Sequence, residues 1–158
     1  DCSATIYFTD FHLQEGSALT GYAPHTEVFL KESENAPVWF NGIVRSKETV
    51  ILLNLGGTSA GLDIHLHPKQ DMEGGSVTLA QGVGGQKATF PNAMYAWDDV
   101  ALLASTRQCT RNGAKETKDG FYQYSAAWDF KHIVSLPQEK SAQLLYSMQE
   151  IDDGETLL

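Results

Sequence analysis

The chain has 158 residues, of which 42% are hydrophobic and 20% are charged, and its net charge is −9 at pH 7. That length suits one domain with its own core, and the composition is typical of a folded protein. The negative charge disfavours a nucleic-acid partner, whose phosphates would repel it. No apolar run reaches the roughly 18 residues that cross a bilayer, so no membrane insertion is expected. We predict one globular β domain over residues 1–151 and a loose acidic tail over residues 152–158.

Strand-forming residues dominate the first third of the chain. Residues 4–13 are rich in β-branched and aromatic side chains and predict a first strand, and residues 27–30 predict a second. Residues 38–40 begin a third strand. The hairpin dipeptide Asn41-Gly42 is expected to turn this strand back into residues 43–45.

Residues 50–68, VILLNLGGTSAGLDIHLHP, are the most apolar stretch of the chain. Its first six residues are almost continuously apolar, which is typical of a strand buried on both faces. After a Gly-rich loop the residues alternate, and this predicts a half-exposed strand that ends at Pro68. The inward positions are Leu62, Ile64 and Leu66, and the outward positions are Asp63, His65 and His67.

The second half of the chain mixes short strands with two ambiguous segments. A strand is predicted over residues 76–80, and a short strand and turn over residues 87–92. A further strand is predicted over residues 121–130, which residues 132–134 continue. Residues 93–106 permit a helix because of their alanines, although residues 100–103 also suit a buried strand. Residues 137–150 predict one short C-terminal helix, because proline opens the segment and apolar residues recur at helical spacing. Those apolar residues are Leu144, Met148 and Ile151.

A last strand over residues 143–150 is the alternative to that helix. In total, about eight to ten short strands separated by turns indicate a mostly β fold. The sequence leaves open an antiparallel β-sandwich or a barrel.

Residues 57–61, GTSAG, match the G-x-S-x-G pattern of the hydrolase nucleophile elbow, which joins a strand to a helix. The alternation after Ser59 predicts a strand instead of a helix, and a β chain of this length is short for an α/β-hydrolase. We therefore interpret the segment as a turn of small residues. Ser59 stays a secondary candidate nucleophile, for which His65, His67 or His132 would have to be the base.

His65 and His67 form an H-x-H pattern, and Asp63 shares their face of the predicted strand. Two imidazoles and a carboxylate supply half of a metal site, which a neighbouring strand or loop would have to complete. No second histidine motif follows, so we interpret the face as solvated. No cofactor is expected, and Asp63, His65 and His67 are secondary candidates for metal ligands.

Four basic residues cluster in an otherwise acidic chain, and they are Arg107, Arg111, Lys115 and Lys118. Glu116 and Asp119 dilute this charge, so an ordinary solvated loop is one interpretation. The functional interpretation is a loop that contacts a protein partner.

Aromatic residues are expected to pack in the core or across strands instead of forming a sugar-binding platform. The residues concerned are Trp39, Trp97, Trp128, Tyr122 and Tyr124.

Cys2 and Cys109 are the two cysteines of the chain. An even count, with one cysteine at the N-terminal end, predicts a single disulfide between them. The start at Asp1-Cys2 suggests a processed N-terminus, so we expect a secreted or periplasmic protein.

The leading functional hypothesis is an extracytoplasmic, non-enzymatic binding protein, such as a protein inhibitor or a toxin-neutralising (immunity-type) protein. It depends on elimination, because the sequence contains no complete catalytic set. One alternative is a metal-dependent enzyme or metal carrier that uses His65 and His67. The other is a structural subunit of a surface assembly.

Overall fold

The computed structural model describes residues 26–28, 30–31, 38–82, 85–126 and 131–149. Within these residues the chain forms short β-strands and no helix. In chain order the strands are β1 (Thr26–Val28), β2 (Leu30–Lys31), β3 (Val38–Arg45), β4 (Lys47–Ile51), β5 (Ala60–Gly61), β6 (Asp63–Pro68), β7 (Thr78–Gln81), β8 (Lys87–Thr89), β9 (Val100–Leu103), β10 (Gln108–Arg111), β11 (Ala114–Lys115), β12 (Asp119–Gly120), β13 (Tyr124–Ser125), β14 (Lys131–Ser135) and β15 (Ser141–Met148).

The strands form two large sheets and one small ladder. One sheet has six strands in the order β1-β4-β14-β7-β8-β12, and the other has seven in the order β11-β10-β9-β6-β15-β3-β2. β5 pairs with β13 in the small ladder. The pairing of β1 with β4 is parallel, and the other pairings of the described strands are antiparallel. The predicted mostly β fold is confirmed as a sandwich-like arrangement, and the described strands close no barrel.

Side chains of both sheets meet in one core. Because successive residues of a strand point to opposite faces, every second residue of the long strands is inward. Leu66 and Leu144 of the seven-stranded sheet are completely buried, as is Val50 of the six-stranded sheet. The rings of His132 in β14 and Tyr146 in β15 have centroids 6.3 Å apart, which brings one sheet into contact with the other.

β3 runs straight through Asn41-Gly42, so the hairpin predicted there is wrong. Asn41 and Gly42 pair with Leu145 and Leu144 of β15 on one side, and β2 pairs with β3 on the other. Ladders on both edges satisfy the backbone of an extended strand, and this outweighs the local turn preference. The chain turns instead at Ser46, whose φ is 53°, and passes into β4 of the other sheet.

Neither segment with a possible helix is helical. Residues 93–106 contain turns and β9, and the C-terminal segment forms β15. The buried hydrophobic residues of β15 alternate, and they are Ala142, Leu144, Tyr146 and Met148. The spacing of four between Leu144 and Met148 fits a period of two as well as a helix, and pairing with β3 and β6 on both sides favours the strand. Ile151 lies outside the described residues.

Residues 50–55 are not a strand buried on both faces, because β4 ends at Ile51 and Leu55 is exposed. Completely buried Asn54 instead organises the loop that follows. Its Nδ2 donates to the carbonyls of Thr58 (3.0 Å) and Ser125 (2.9 Å), and its Oδ1 accepts from the Gly56 N–H (3.0 Å). A short polar side chain inside an apolar run therefore ends the strand early.

Some predictions lie outside the described residues. These are the strand over residues 4–13, the position of Cys2, the environment of Trp128 and the acidic tail over residues 152–158. Within the part of the chain that the structure describes, no helix is long and apolar enough to cross a membrane.

Candidate functional site

Residues 95–98, here called the aromatic turn, precede β9 and carry the most exposed large aromatic side chains of the described chain. Each of its four backbone N–H groups donates a hydrogen bond. The acceptors, in chain order, are Asp98 Oδ2 (2.9 Å), Asp71 Oδ1 (2.8 Å), Pro68 O (2.8 Å) and Tyr95 O (3.1 Å). Because every donor is engaged, the backbone of this turn is held in one conformation.

Trp97 is 70% exposed and lies in no strand, and Tyr95 is 60% exposed, so the expectation that Trp97 packs in the core or across strands is wrong. Trp97 also has a φ of 71°, a left-handed value that bulky residues rarely adopt. It is the third residue of a turn closed from Asp98 N to Tyr95 O, where such a φ normally selects glycine. The Lys69 ammonium lies 4.3 Å from the centre of the Trp97 ring. The turn therefore displays a tryptophan at a position that favours glycine.

A pocket of about 590 Å³ adjoins the aromatic turn. Buried Met72 and Met94 line it, and their backbones pair with each other through two hydrogen bonds of 2.8 and 2.9 Å. Tyr95, Pro137 and Lys140 also line the pocket. Its lining is mostly apolar, and such a pocket next to exposed aromatic side chains can receive an apolar side chain.

The outward face of β6 carries Asp63, His65 and His67 as predicted, but these three do not form one cluster. Asp63 instead accepts hydrogen bonds from the N–H and hydroxyl of Ser105. Asp99 takes its place beside the histidines, at 2.8 Å from His65 Nδ1 and 3.9 Å from His67 Nε2. The two imidazoles are stacked with their centroids 6.4 Å apart.

This face offers limited chemistry. Within the described residues, no group of three or more histidine, cysteine, aspartate or glutamate side chains is arranged to hold a metal ion. His65 and Asp99 resemble the base and orienting carboxylate of a hydrolytic triad. However, no hydroxyl or thiol of the described residues donates a hydrogen bond to either imidazole, so no nucleophile among those residues is activated by this pair.

Ser59 is exposed in the loop that follows Asn54. The chain continues from it as β5 and β6, as the alternation predicts, and not as the helix of a nucleophile elbow. The backbone arrangement that would activate this serine is therefore missing.

Arg111, one of the four predicted contact residues, belongs to a charged cluster beneath the surface. Its Nη2 lies 2.8 Å from Glu116 Oε2, and its Nε lies 3.9 Å from Asp98 Oδ2. The Asn112 amide also donates to Asp98 (2.8 Å). All three charged side chains are largely buried, so the charge of Arg111 is neutralised inside the fold.

Asp98 connects this cluster to the aromatic turn. Its carboxylate accepts from the Tyr95 N–H on one side and from Asn112 on the other. Burial by itself raises the pKa of Asp98. The two hydrogen bonds and the charge of Arg111 outweigh burial and hold the pKa below its ordinary value of 3.8.

The other three predicted contact residues, Arg107, Lys115 and Lys118, line one cleft of about 840 Å³, here called the basic cleft. Lys118 Nζ donates to the Gly120 carbonyl (2.6 Å) and lies 4.3 Å from the centre of the Tyr122 ring. The structure thus brings together three of the four basic residues and separates Arg111 from them.

Cys109 lines the same cleft and is a buried free thiol. Burial raises the pKa of this thiol to about 11, and the Glu116 carboxylate adds to the rise. Because Cys2 lies outside the described residues, the disulfide stays a prediction without structural support.

Two features of these surfaces escape sequence reasoning. Trp97 is followed by two aspartates, and this local pattern does not indicate the left-handed backbone that exposes the ring. Asp99 lies 34 residues from His65, and only the pairing of β6 with β9 brings them together.

No family model, curated protein or solved structure matches this chain.

Proposed function

We propose that this chain is a non-enzymatic binding protein and that the aromatic turn is the centre of its contact surface with a protein partner. The observation that carries the proposal is Trp97, which is 70% exposed on a backbone with every N–H engaged.

The conformation of Trp97 supports this proposal. A left-handed backbone costs a non-glycine residue on the order of 1–2 kcal/mol, and such strain is concentrated at functional sites. The fold keeps a large apolar side chain in this conformation and in water. An exposed tryptophan on a rigid backbone loses little conformational entropy when a partner covers it, which suits a binding hot spot.

The surroundings of the turn support a protein as the partner. Tyr95 belongs to the same turn as Trp97 and lines the apolar pocket, so a partner can cover the two rings and insert an apolar side chain beside Tyr95. The Lys69 ammonium lies over the Trp97 ring and Asp71 accepts from the Ala96 N–H, so charges of both signs flank the aromatic turn. An apolar centre with a charged rim is the usual build of a protein–protein contact.

The extracytoplasmic location and the inhibitor or immunity-type role belong to the same proposal. The even cysteine count supports the extracytoplasmic location.

The test is affinity capture from the native compartment with three versions of the protein: wild type, Trp97→Gly and Leu55→Ser. Leu55 is 61% exposed, so its substitution is a matched control for the loss of an exposed apolar side chain. Trp97→Gly removes the ring and suits the positive φ. Mass spectrometry is expected to find one protein captured by wild type and Leu55→Ser, and depleted at least tenfold with Trp97→Gly.

Equal capture by all three versions would overturn the aromatic turn as the contact surface. Turnover of a substrate that is lost in His65→Ala would overturn the non-enzymatic role.

A further inference from the structure

We infer that the basic cleft is a second site, which binds an organic ligand carrying two or more tetrahedral oxyanion groups, as phosphate or sulfate esters. This inference is independent of the aromatic turn, because the two surfaces share no lining residue.

The distribution of charge is the first argument. The chain has a net charge of −9, yet Arg107, Lys115 and Lys118 line one cleft. The one acidic residue among the described lining residues is Glu116. Its Oε1 accepts from the Asn92 amide (2.7 Å) and from the Thr117 N–H (2.8 Å).

Glu116 Oε2 is paired with Arg111, and only 8% of the Glu116 side chain is exposed. The negative charge of Glu116 is therefore compensated within the fold, whereas Arg107, Lys115 and Lys118 keep their positive charges at the cleft. This local field attracts anions although the whole protein repels them.

The arrangement of the basic residues is the second argument. Lys118 is held by the Gly120 carbonyl and the Tyr122 ring, so one cation is positioned before any ligand binds. Arg107 lies in the turn between β9 and β10 with a φ of 54°, and Lys115 lies in β11 at the edge of its sheet. The three cations thus come from separate segments that the fold brings to one cleft.

The chemistry of the lining indicates the class of ligand. The lining is mostly polar and includes Gln108, Thr110, Thr117 and Tyr122, whose amide and hydroxyl groups can donate to oxyanions. An arginine fork and lysine point charges suit phosphate or sulfate oxygens. A cleft of about 840 Å³ is far larger than one such ion, so a ligand with several groups fits it better. An acidic peptide would need apolar pockets for its other side chains, and those lie at the aromatic turn.

Titration calorimetry with three probes tests the inference: pyrophosphate, a trisulfated heparin disaccharide and hexaglutamate. The protein versions are wild type, the cleft variant Arg107→Gln/Lys115→Gln/Lys118→Gln, and the control Arg45→Gln/Lys87→Gln/Lys131→Gln. The control removes the same charge from exposed positions outside the cleft. All measurements are made at about 150 mM salt, which screens charges beyond roughly 8 Å.

We expect pyrophosphate, the disaccharide or both to bind the wild type, and whichever binds identifies phosphate or sulfate as the preferred group. Binding is expected to weaken at least tenfold in the cleft variant and less than twofold in the control. The amide signals of Thr110 and Tyr122 are expected to shift on addition of the ligand.

Three outcomes would overturn the inference. One is no binding of either oxyanion probe, and another is equal weakening in both variants, which would indicate non-specific attraction. The third is hexaglutamate binding as tightly as the oxyanion probes, which would assign the cleft to an acidic peptide. A circular dichroism melt of each variant confirms that the fold is intact.

Discussion

The aromatic turn and the basic cleft are neighbouring surfaces built in different ways. The backbone holds the aromatic turn, whose four N–H groups are all engaged and whose Trp97 is at a position that favours glycine. The basic cleft depends on side chains, three of which keep a charge while Arg111 is neutralised below them. The comparison shows that a run of like charges in a sequence can contain both contact residues and the scaffold that supports them.

The charged cluster of Asp98, Arg111 and Glu116 joins the two regions. Asp98 accepts from the backbone of the aromatic turn, and Glu116 lines the basic cleft. Damage to this cluster should therefore disturb both regions, whereas changes at Trp97 or at the cleft lysines should stay local.

The largest expected effect is on the reactivity of Cys109, beneath the basic cleft. At pH 8, a thiol with a pKa of about 11 is roughly 0.1% thiolate, against roughly a tenth for a cysteine with the ordinary pKa of 9.0. Labelling of Cys109 by a disulfide reagent is therefore expected to be on the order of a hundredfold slower in the native protein than in the unfolded protein. Because the folded pKa is raised, the thiol's contribution to stability is complete below its ordinary 9.0 and is lost as the pH rises through about 11.

The same assay tests the disulfide that the sequence predicts. A cysteine that labels in denatured, unreduced protein contradicts the bridge. No labelling, with a gain of about 2 Da on reduction, would place Cys2 against Cys109. Cys2 would then lie at the basic cleft beside Cys109. The cleft would no longer be open to a ligand, and the comparison of two accessible surfaces would not hold.

Asp98→Ala is expected to lower the free energy of unfolding by about 2–3 kcal/mol, because it removes two hydrogen bonds and one partner of buried Arg111. Since its folded pKa is lowered, Asp98 stabilises the protein above pH 3.8, and this contribution is lost as the pH falls through the folded pKa. Urea unfolding between pH 7 and pH 2 measures both effects. The control is Asp71→Ala, which loses one exposed hydrogen bond and is expected to cost less than about 1 kcal/mol. If Asp98→Ala and Asp71→Ala lower the free energy of unfolding equally, the charged cluster does not join the two regions.

His65→Ala/His67→Ala is expected to cost less than about 1 kcal/mol, because the pair with Asp99 is partly exposed. The melting temperature should be the same with and without chelator, since no metal then stabilises the native state. A melting temperature that falls with chelator and is restored by zinc would contradict this prediction. It would make β6 a third functional region.

Trp97→Gly is expected to change the free energy of unfolding by less than about 1 kcal/mol, because relief of the left-handed strain offsets the added flexibility of glycine. Trp97→Ala keeps the strain and is expected to be about 1 kcal/mol less stable than Trp97→Gly. Thermal unfolding of both variants measures the difference. If Trp97→Gly lowers the free energy of unfolding by more than about 1 kcal/mol, the Trp97 ring stabilises the fold and is not held there for contact.

Local pattern is sufficient for some of this protein. The alternation over residues 62–67 predicts β6 and its two faces, because a period of two in apolar residues has only one simple explanation. The same logic predicts a mostly β fold, since short apolar runs divided by turn residues cannot build long helices. The clustering of basic residues likewise points to three residues of the basic cleft.

Tertiary structure decided what local pattern left ambiguous. Asn41-Gly42 is extended because β15 pairs with both residues and β2 pairs with Asn41 from the other side. Asn112-Gly113, by contrast, makes the turn between β10 and β11, with φ values of 50° and 79°. The spacing of Leu144 and Met148 fits a helix or a strand until β3 and β6 supply partners for an extended backbone.

The same reason explains the surfaces. Pairing of β6 with β9 brings Asp99 to His65, and contacts with Pro68 and Asp71 force Trp97 outward. Sequence pattern records which side chains prefer the core, but hydrogen bonds between distant segments decide where the backbone turns and which polar groups meet.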